Sequence, residues 1–189
     1  MATTNPHRDL VPAPPPKVEM TDIHTGQQHN FTLPNLDPYG PLFSLNIQPT
    51  LRLLCFFKRR PDVSEAKFHT WWSSAHADLT VSSAPVAFTR HVLRYAQLHK
   101  TSAHDAMAPS GWTILPFDAC GEITVKTWDD FLAFQTNPDF LKKLIPDGDN
   151  FIQRPIQIFP NYEHLVYGPA MSAFGGADGL KREDVPGAE

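Results

Sequence analysis

The stretch Ser64-Glu65-Ala66-Lys67-Phe68-His69-Thr70-Trp71-Trp72-Ser73-Ser74-Ala75-His76-Ala77-Asp78-Leu79 decides how the chain is read. Ser64 is a good N-cap, and Glu65 sets a negative charge in the first turn, where the helix dipole favours it. Phe68, Trp71, Trp72 and Ala75 then recur at three- and four-residue spacing, which predicts a helix with one buried stripe running to about Leu79 or Val81. Just before it, Leu51 to Phe57 is apolar except for Arg52, the pattern of a buried strand, and Lys58-Arg59-Arg60-Pro61 ends it. Strand and helix open a domain that begins at Leu51.

Further along, Val86 to Leu98 alternates in two faces and predicts a long second strand. One face carries Thr89, His91, Leu93, Tyr95, Gln97 and then His99; the other carries Phe88, Arg90, Val92, Arg94, Ala96 and Leu98. Residues 100–116 read as a loop and Cys120 to Thr127 as a third strand. Trp128 to Thr136 reads as a helix with Phe131, Leu132 and Phe134 inward. A short helix follows from Pro138 to Leu144 with Asn137 as its N-cap, and Pro155 to Tyr167 reads as the last strand. The order β-α-β-β-α-β is the split βαβ of a ferredoxin-like α+β domain, with a four-stranded antiparallel sheet covered by helices on one face. The bare face needs a cover, so a homodimer closing an α/β barrel is expected.

Outside residues 51–167 the pattern changes. Pro12, Pro14, Pro15 and Pro16 deny helix and ladder bonds, so residues 1–19 read as a disordered tail within a proline-rich, irregular arm spanning 1–50. Its anchors are Phe31, Leu33, Leu36, Tyr39, Leu42, Phe43 and Ile47. Residues 168–189 read as a frayed tail.

Composition excludes several functions. A net charge of -4 over 189 residues supplies no polybasic face, so nucleic acid is not an expected partner. No apolar stretch nears the ~20 residues that span a bilayer. The start of the chain lacks the apolar core of a secretory signal, so no membrane association and a cytoplasmic location are expected. The 2 cysteines, Cys55 and Cys120, are too few for a disulfide framework. No His-x-His or His-Glu-x-x-His spacing and no glycine-rich nucleotide loop occurs, so neither metal nor cofactor is expected.

Three local patterns carry a family likeness: the helix stretch just quoted; Arg94-Tyr95-Ala96-Gln97-Leu98-His99; and Phe117-Asp118-Ala119-Cys120-Gly121-Glu122, with Pro146-Asp147 and Asn150-Phe151 beyond. Together they resemble the EthD-like family of dimeric α/β-barrel proteins over residues 51 to 167. Trp71, Trp72, His76, Ala77 and Leu79 match the family's helix motif. One departure is Asp118-Ala119, where the family has Asp-Gly; a positive φ there would strain an alanine. The resemblance, to its fungal polyketide-pathway type, implies a pocket for a small apolar or aromatic substrate. It also implies a cofactor-independent lyase that decarboxylates or dehydrates an aromatic polyketide intermediate. A cofactor-free anthrone-type monooxygenase and a non-catalytic carrier of an apolar intermediate stand as alternatives.

The residues suit such chemistry. An imidazole with an ordinary pKa near 6.5 can donate or accept a proton at cellular pH. His76 shares a helix face with Trp72, and either polarises a substrate carbonyl or ties the helix end to the sheet. His91 and His99 are further candidate acid/base groups, and Asp118 either carries a proton or shapes a turn. For substrate binding the candidates are Trp72, Tyr95, Gln97 and Phe57, with Arg90 and Arg94 for a carboxylate.

Overall fold

The computed structural model describes Gln27 and residues 29–187. The tail expected over residues 1–19 lies outside them. Thr50–Asn161 forms one compact unit, and the described residues up to Pro49 form a second one together with Tyr162 onward.

The larger unit is built on a four-stranded antiparallel sheet of β1 (Ile47–Arg59), β2 (Val92–His99), β3 (Ala119–Val125) and β4 (Ile152–His164), in the order β2-β3-β1-β4. Leu51 to Phe57 of β1 pair with Val125 to Ala119 of β3, and β3 pairs on its other side with β2. This is the ferredoxin-like arrangement: each helical crossover skips one strand, and that strand fills the gap running the opposite way. Helices α1 (Glu65–Trp71), α2 (Ala77–Ser82), α3 (Pro85–His91), α4 (Trp128–Gln135) and α5 (Pro138–Asp149) supply the second layer. The helix starts are chemically explicit. Ser64, Thr127 and Asn137 accept from backbone N–H groups two or three residues on, and so satisfy donors that a helix leaves open.

Between α1 and α2 the helix widens into a π turn, Trp72–His76. A π turn closes i to i+5 and so inserts one residue into the helical count.

Two expectations for the second strand are corrected. Residues 85–91 are helical, and β2 begins only at Val92, so Arg90 and His91 lie on a helix and share no strand face with Tyr95. Pro85 at the first helical position presets φ, and Arg90 and His91 complete a last turn whose dipole favours cations. An alternating mixture of apolar and polar residues does not by itself exclude a short helix. The other differences are smaller. Helix α5 runs past Leu144, through Pro146 to Asp149, and β4 starts at Ile152 rather than Pro155. Leu132 is 41% exposed. Ala119 is the first residue of β3, and no described residue other than glycine has a positive φ, so the Asp118-Ala119 departure carries no strain.

Phe57, Val63, Phe68, Trp72, Ala119, Phe151 and Ile152 form a core between the sheet and the first helical stretch. Phe68 is wholly buried, with ring centroids of Phe57, Trp72 and Phe151 at 6.0, 6.1 and 5.7 Å.

The smaller unit includes the C-terminal segment through Gly187. It contains short 3-10 turns at Ser172–Phe174 and Arg182–Asp184, and an isolated bridge joins Tyr167 to Leu180. The Asn46 side-chain amide donates to the carbonyls of Leu165, Ala177 and Asp178 at 3.2, 2.9 and 2.9 Å, so one polar residue binds the arm to the tail. Among the anchors expected in the arm, Tyr39 and Leu42 are exposed. No described helix is long and apolar enough to cross a membrane.

Packing should outweigh capping in this domain. Phe68→Ala is expected to lower the unfolding free energy by about 3–5 kcal/mol, and Asn137→Ala by about 1 kcal/mol. Urea titrations of the two variants check this; equal losses would contradict it.

Candidate active site

An apolar cavity of about 280 Å³ lies between the sheet and the helices, at the lower end of the range for ligand sites. The sheet contributes Cys55, Phe57, Tyr95 and Ile123 to its wall, and α4 and α5 contribute Phe131 and Phe140 among others. Trp72 and His76 enter from the two ends of the π turn.

His76 is held from behind. Its Nδ1 lies 2.7 Å from Oδ2 of Asp147, and the Trp71 indole Nε1 donates to Oδ1 of the same carboxylate at 2.9 Å. Asp147 itself is buried, in the last turn of α5. The π turn is what makes this grip feasible. Trp71 and His76 are five residues apart, which in a regular α-helix puts their side chains about 140° apart around the axis. Closing the turn from i to i+5 brings them to the same side, and both reach one carboxylate. An ionised carboxylate only accepts, so the Nδ1 position carries the proton and Nε2 keeps its lone pair.

Burial pushes the His76 imidazole below its ordinary 6.5, against the pull of Asp147, which favours the charged ring. The outcome is a neutral imidazole at cellular pH, fixed in one tautomer, on the wall of the cavity. Tyr95 is the second polar group there. Burial raises its phenol above the ordinary 10.0, against hydrogen bonds with Gln97 and Thr80, so it stays a donor. Gln97 Nε2 donates to the Tyr95 hydroxyl at 2.8 Å and to the Trp72 carbonyl at 2.9 Å, tying the strand to the π turn. Burial also drives the Cys55 thiol up to about 12, so it serves as wall and not as nucleophile.

The structure brings Phe57, Trp72, His76 and Tyr95 together at the cavity, with Gln97 supporting Tyr95. The other candidates lie elsewhere. His91 is engaged with Asp130 at 2.8 Å and links α3 to α4. His99 meets His69, Nδ1 to Nδ1, at 2.8 Å, and its ring lies 4.4 Å from that of Trp72, behind the cavity wall. Asp118 accepts from the Arg59 backbone at 3.0 Å and closes the turn before β3. Arg90 is exposed on α3. Arg94 lies on the sheet's other face, where it and Arg52 both pair with the buried Glu122. Among the described residues no three His, Cys, Asp or Glu side chains converge as a metal site.

Asp147, Thr80 and Arg154 belong to the site and were not singled out from the sequence. The signal for Asp147 was the Pro146-Asp147 pair within the family pattern; for Arg154 there was none beyond its charge.

The family model described as "EthD domain" matches residues 60–155. The chain belongs to the EthD family. Both members of the His76–Asp147 pair fall inside the EthD match. No curated protein sequence matches significantly. Among solved structures, an ethyl tert-butyl ether degradation (EthD) family protein from Bacillus halodurans is 13% identical, with 60% of this chain and 98% of that one covered, at a TM-score of 0.42. A dimeric ferredoxin-like protein of unknown function from Bacteroides fragilis is 11% identical, covering 63% and 99%, at 0.41. The hydroxynitrile lyase of Passiflora edulis is 15% identical, covering 61% and 94%, at 0.37.

Two histidines held neutral in the fold set a pH dependence. His76 and His99 are both pushed below 6.5 by burial, and His99 also by His69. The unfolded chain therefore binds these protons first. Stability is full above pH 6.5 and declines as pH falls below it toward the folded pKa values. Thermal melts between pH 8 and 5 should show that decline, and His99→Gln should flatten part of it. A melting temperature constant over this range would contradict the assignment.

Proposed function

We propose that this protein is a cofactor-independent lyase that removes carbon dioxide or water from an aromatic, polyketide-type intermediate. The observation that carries the reading is the His76–Asp147 pair at the wall of an apolar cavity that also holds the Tyr95 phenol. The Tyr95 hydroxyl hydrogen-bonds a substrate ketone, and electron density can then move onto its oxygen. In dehydration, Nε2 of His76 takes the α-proton, the enol forms, and the β-hydroxyl leaves as water with a proton returned from the imidazolium. In decarboxylation, the bond from the α-carbon to the carboxylate breaks, carbon dioxide leaves, and the electron pair moves toward the same ketone. The α-carbon then takes a proton that water supplies through Nε2 of His76 as a transient imidazolium. Asp147 steadies the transient imidazolium in both cases, as a carboxylate behind a catalytic histidine does. The apolar wall keeps water out and strengthens each hydrogen bond.

A homodimer belongs to the same proposal. The sheet face opposite the cavity presents Leu54, Phe56 and Leu98, and Leu98 is 48% exposed in the single chain. Light scattering should report twice the 21.2 kDa chain mass; a monodisperse monomer would refute this part.

The activity is tested by incubating the full chain, without added cofactor, with an aromatic β-keto acid and with a β-hydroxy ketone. Release of carbon dioxide or of a dehydrated product is expected, and His76→Ala should slow it by about 10²–10⁴-fold. Neither product, or turnover that consumes dioxygen, would overturn the lyase reading.

A further inference from the structure

Arg154 is the one charged side chain among the described residues lining the cavity apart from the titratable His76. It projects from β4, two residues after Ile152, toward the last turn of α5. A Cβ placed on Gly148 would lie 3.7 Å from its Nη2. Asp149, the last residue of α5, holds it from one side: Nε donates to Oδ1 at 3.1 Å, and Nη2 lies 3.1 Å from the same oxygen. A carboxylate matched to a guanidinium takes two parallel bonds, one per oxygen. Asp149 offers a single oxygen, and Nη1 makes no hydrogen bond to any described residue. The guanidinium is therefore oriented on one edge and half-exposed, with its other edge open to a ligand, at the wall of a cavity otherwise lined by apolar residues, two neutral hydroxyls, the Gln135 amide and the His76 ring.

We propose that Arg154 is the anion-reading residue of this site and that its ligand is an aromatic carboxylate rather than a neutral aromatic. This rests on the cavity being the substrate site, as proposed above, and it names the substrate class. The free guanidinium edge receives the carboxylate while the ring fills the apolar space beside Trp72 and Phe57. Asp149 restrains the guanidinium on one edge and leaves the outer donors for the ligand. A planar, always-charged fork suits this role, whereas a lysine supplies only a point charge. Arg90 and Arg94, the arginines expected for a carboxylate, lie outside the cavity.

The test uses the full-length chain with naphthoate and naphthol as probes, the first anionic and the second neutral, followed through tryptophan fluorescence because Trp72 lines the cavity. The wild type is expected to bind naphthoate at least about tenfold more tightly, the scale of one charge-assisted hydrogen-bonded pair. Arg154→Gln should abolish that preference and leave naphthol binding unchanged, and Arg154→Lys should keep part of it. Should the variants fold poorly, the wild type alone still decides: a half-exposed ion pair is screened, so raising the salt from low to 1 M should erode the naphthoate preference and spare naphthol. Equal binding of both probes by the wild type, or a preference that survives in Arg154→Gln, overturns the proposal while the lyase reading stands on its own turnover assay. Binding of neither probe overturns this proposal together with the cavity as an aromatic site.

Discussion

The carboxylate of Asp147 is the point on which this site depends. It is buried, and it takes one hydrogen bond from the Trp71 indole and one from the His76 imidazole. A buried carboxylate without partners is costly, so both donors are structural necessities. The π turn supplies them from positions that a regular helix would point in different directions. Helix α5 supplies the acceptor from its last turn, just past Pro146, which cannot itself donate to the carbonyl four residues back. One interaction thereby locks the first helical stretch onto α5 and fixes a histidine tautomer.

Around that lock the fold divides its labour by sheet face. The helix-facing side carries the aromatic core and the cavity, whose described polar lining is His76, Tyr95, Thr80, Gln135 and Arg154, with Gln97 behind Tyr95. On the opposite face Glu122 sits between Arg52 and Arg94. His91–Asp130, His69–His99 and Arg59–Asp118 all lie outside the cavity and tie helices, strands and turns together. His69, His91, His99, Arg52, Arg59 and Arg94 thus tie the fold together. His76 stands apart because burial at the cavity wall sets its chemistry.

Much of this was legible in the sequence. The strand, helix and cap signals from Leu51 to Leu79 and the second half of the chain gave the ferredoxin-like order, because binary pattern and capping chemistry act locally. Phe57 and Tyr95 were reachable through strand alternation, and Trp72 and His76 through their four-residue spacing. What was missed is non-local or breaks the period. Asp147 is 71 residues from His76, and nothing in a linear pattern pairs them. The π turn has no composition signature, and α3 imitates an alternating strand. His91 and His99 stood behind His76 as further candidates in the string. Only tertiary placement shows the first bonded to Asp130 and the second stacked behind Trp72.

The central claim is that burial keeps His76 neutral while Asp147 fixes its tautomer, with the proton on Nδ1 and the lone pair on Nε2. Long-range ¹H–¹⁵N correlation of the histidine rings at neutral pH reads this directly, with Asp147→Asn as the comparison. The account predicts a protonated Nδ1 and a bare Nε2 in the wild type, and loss of that fixed tautomer in the variant. A His76 ring protonated at Nε2, or charged at neutral pH, would contradict it.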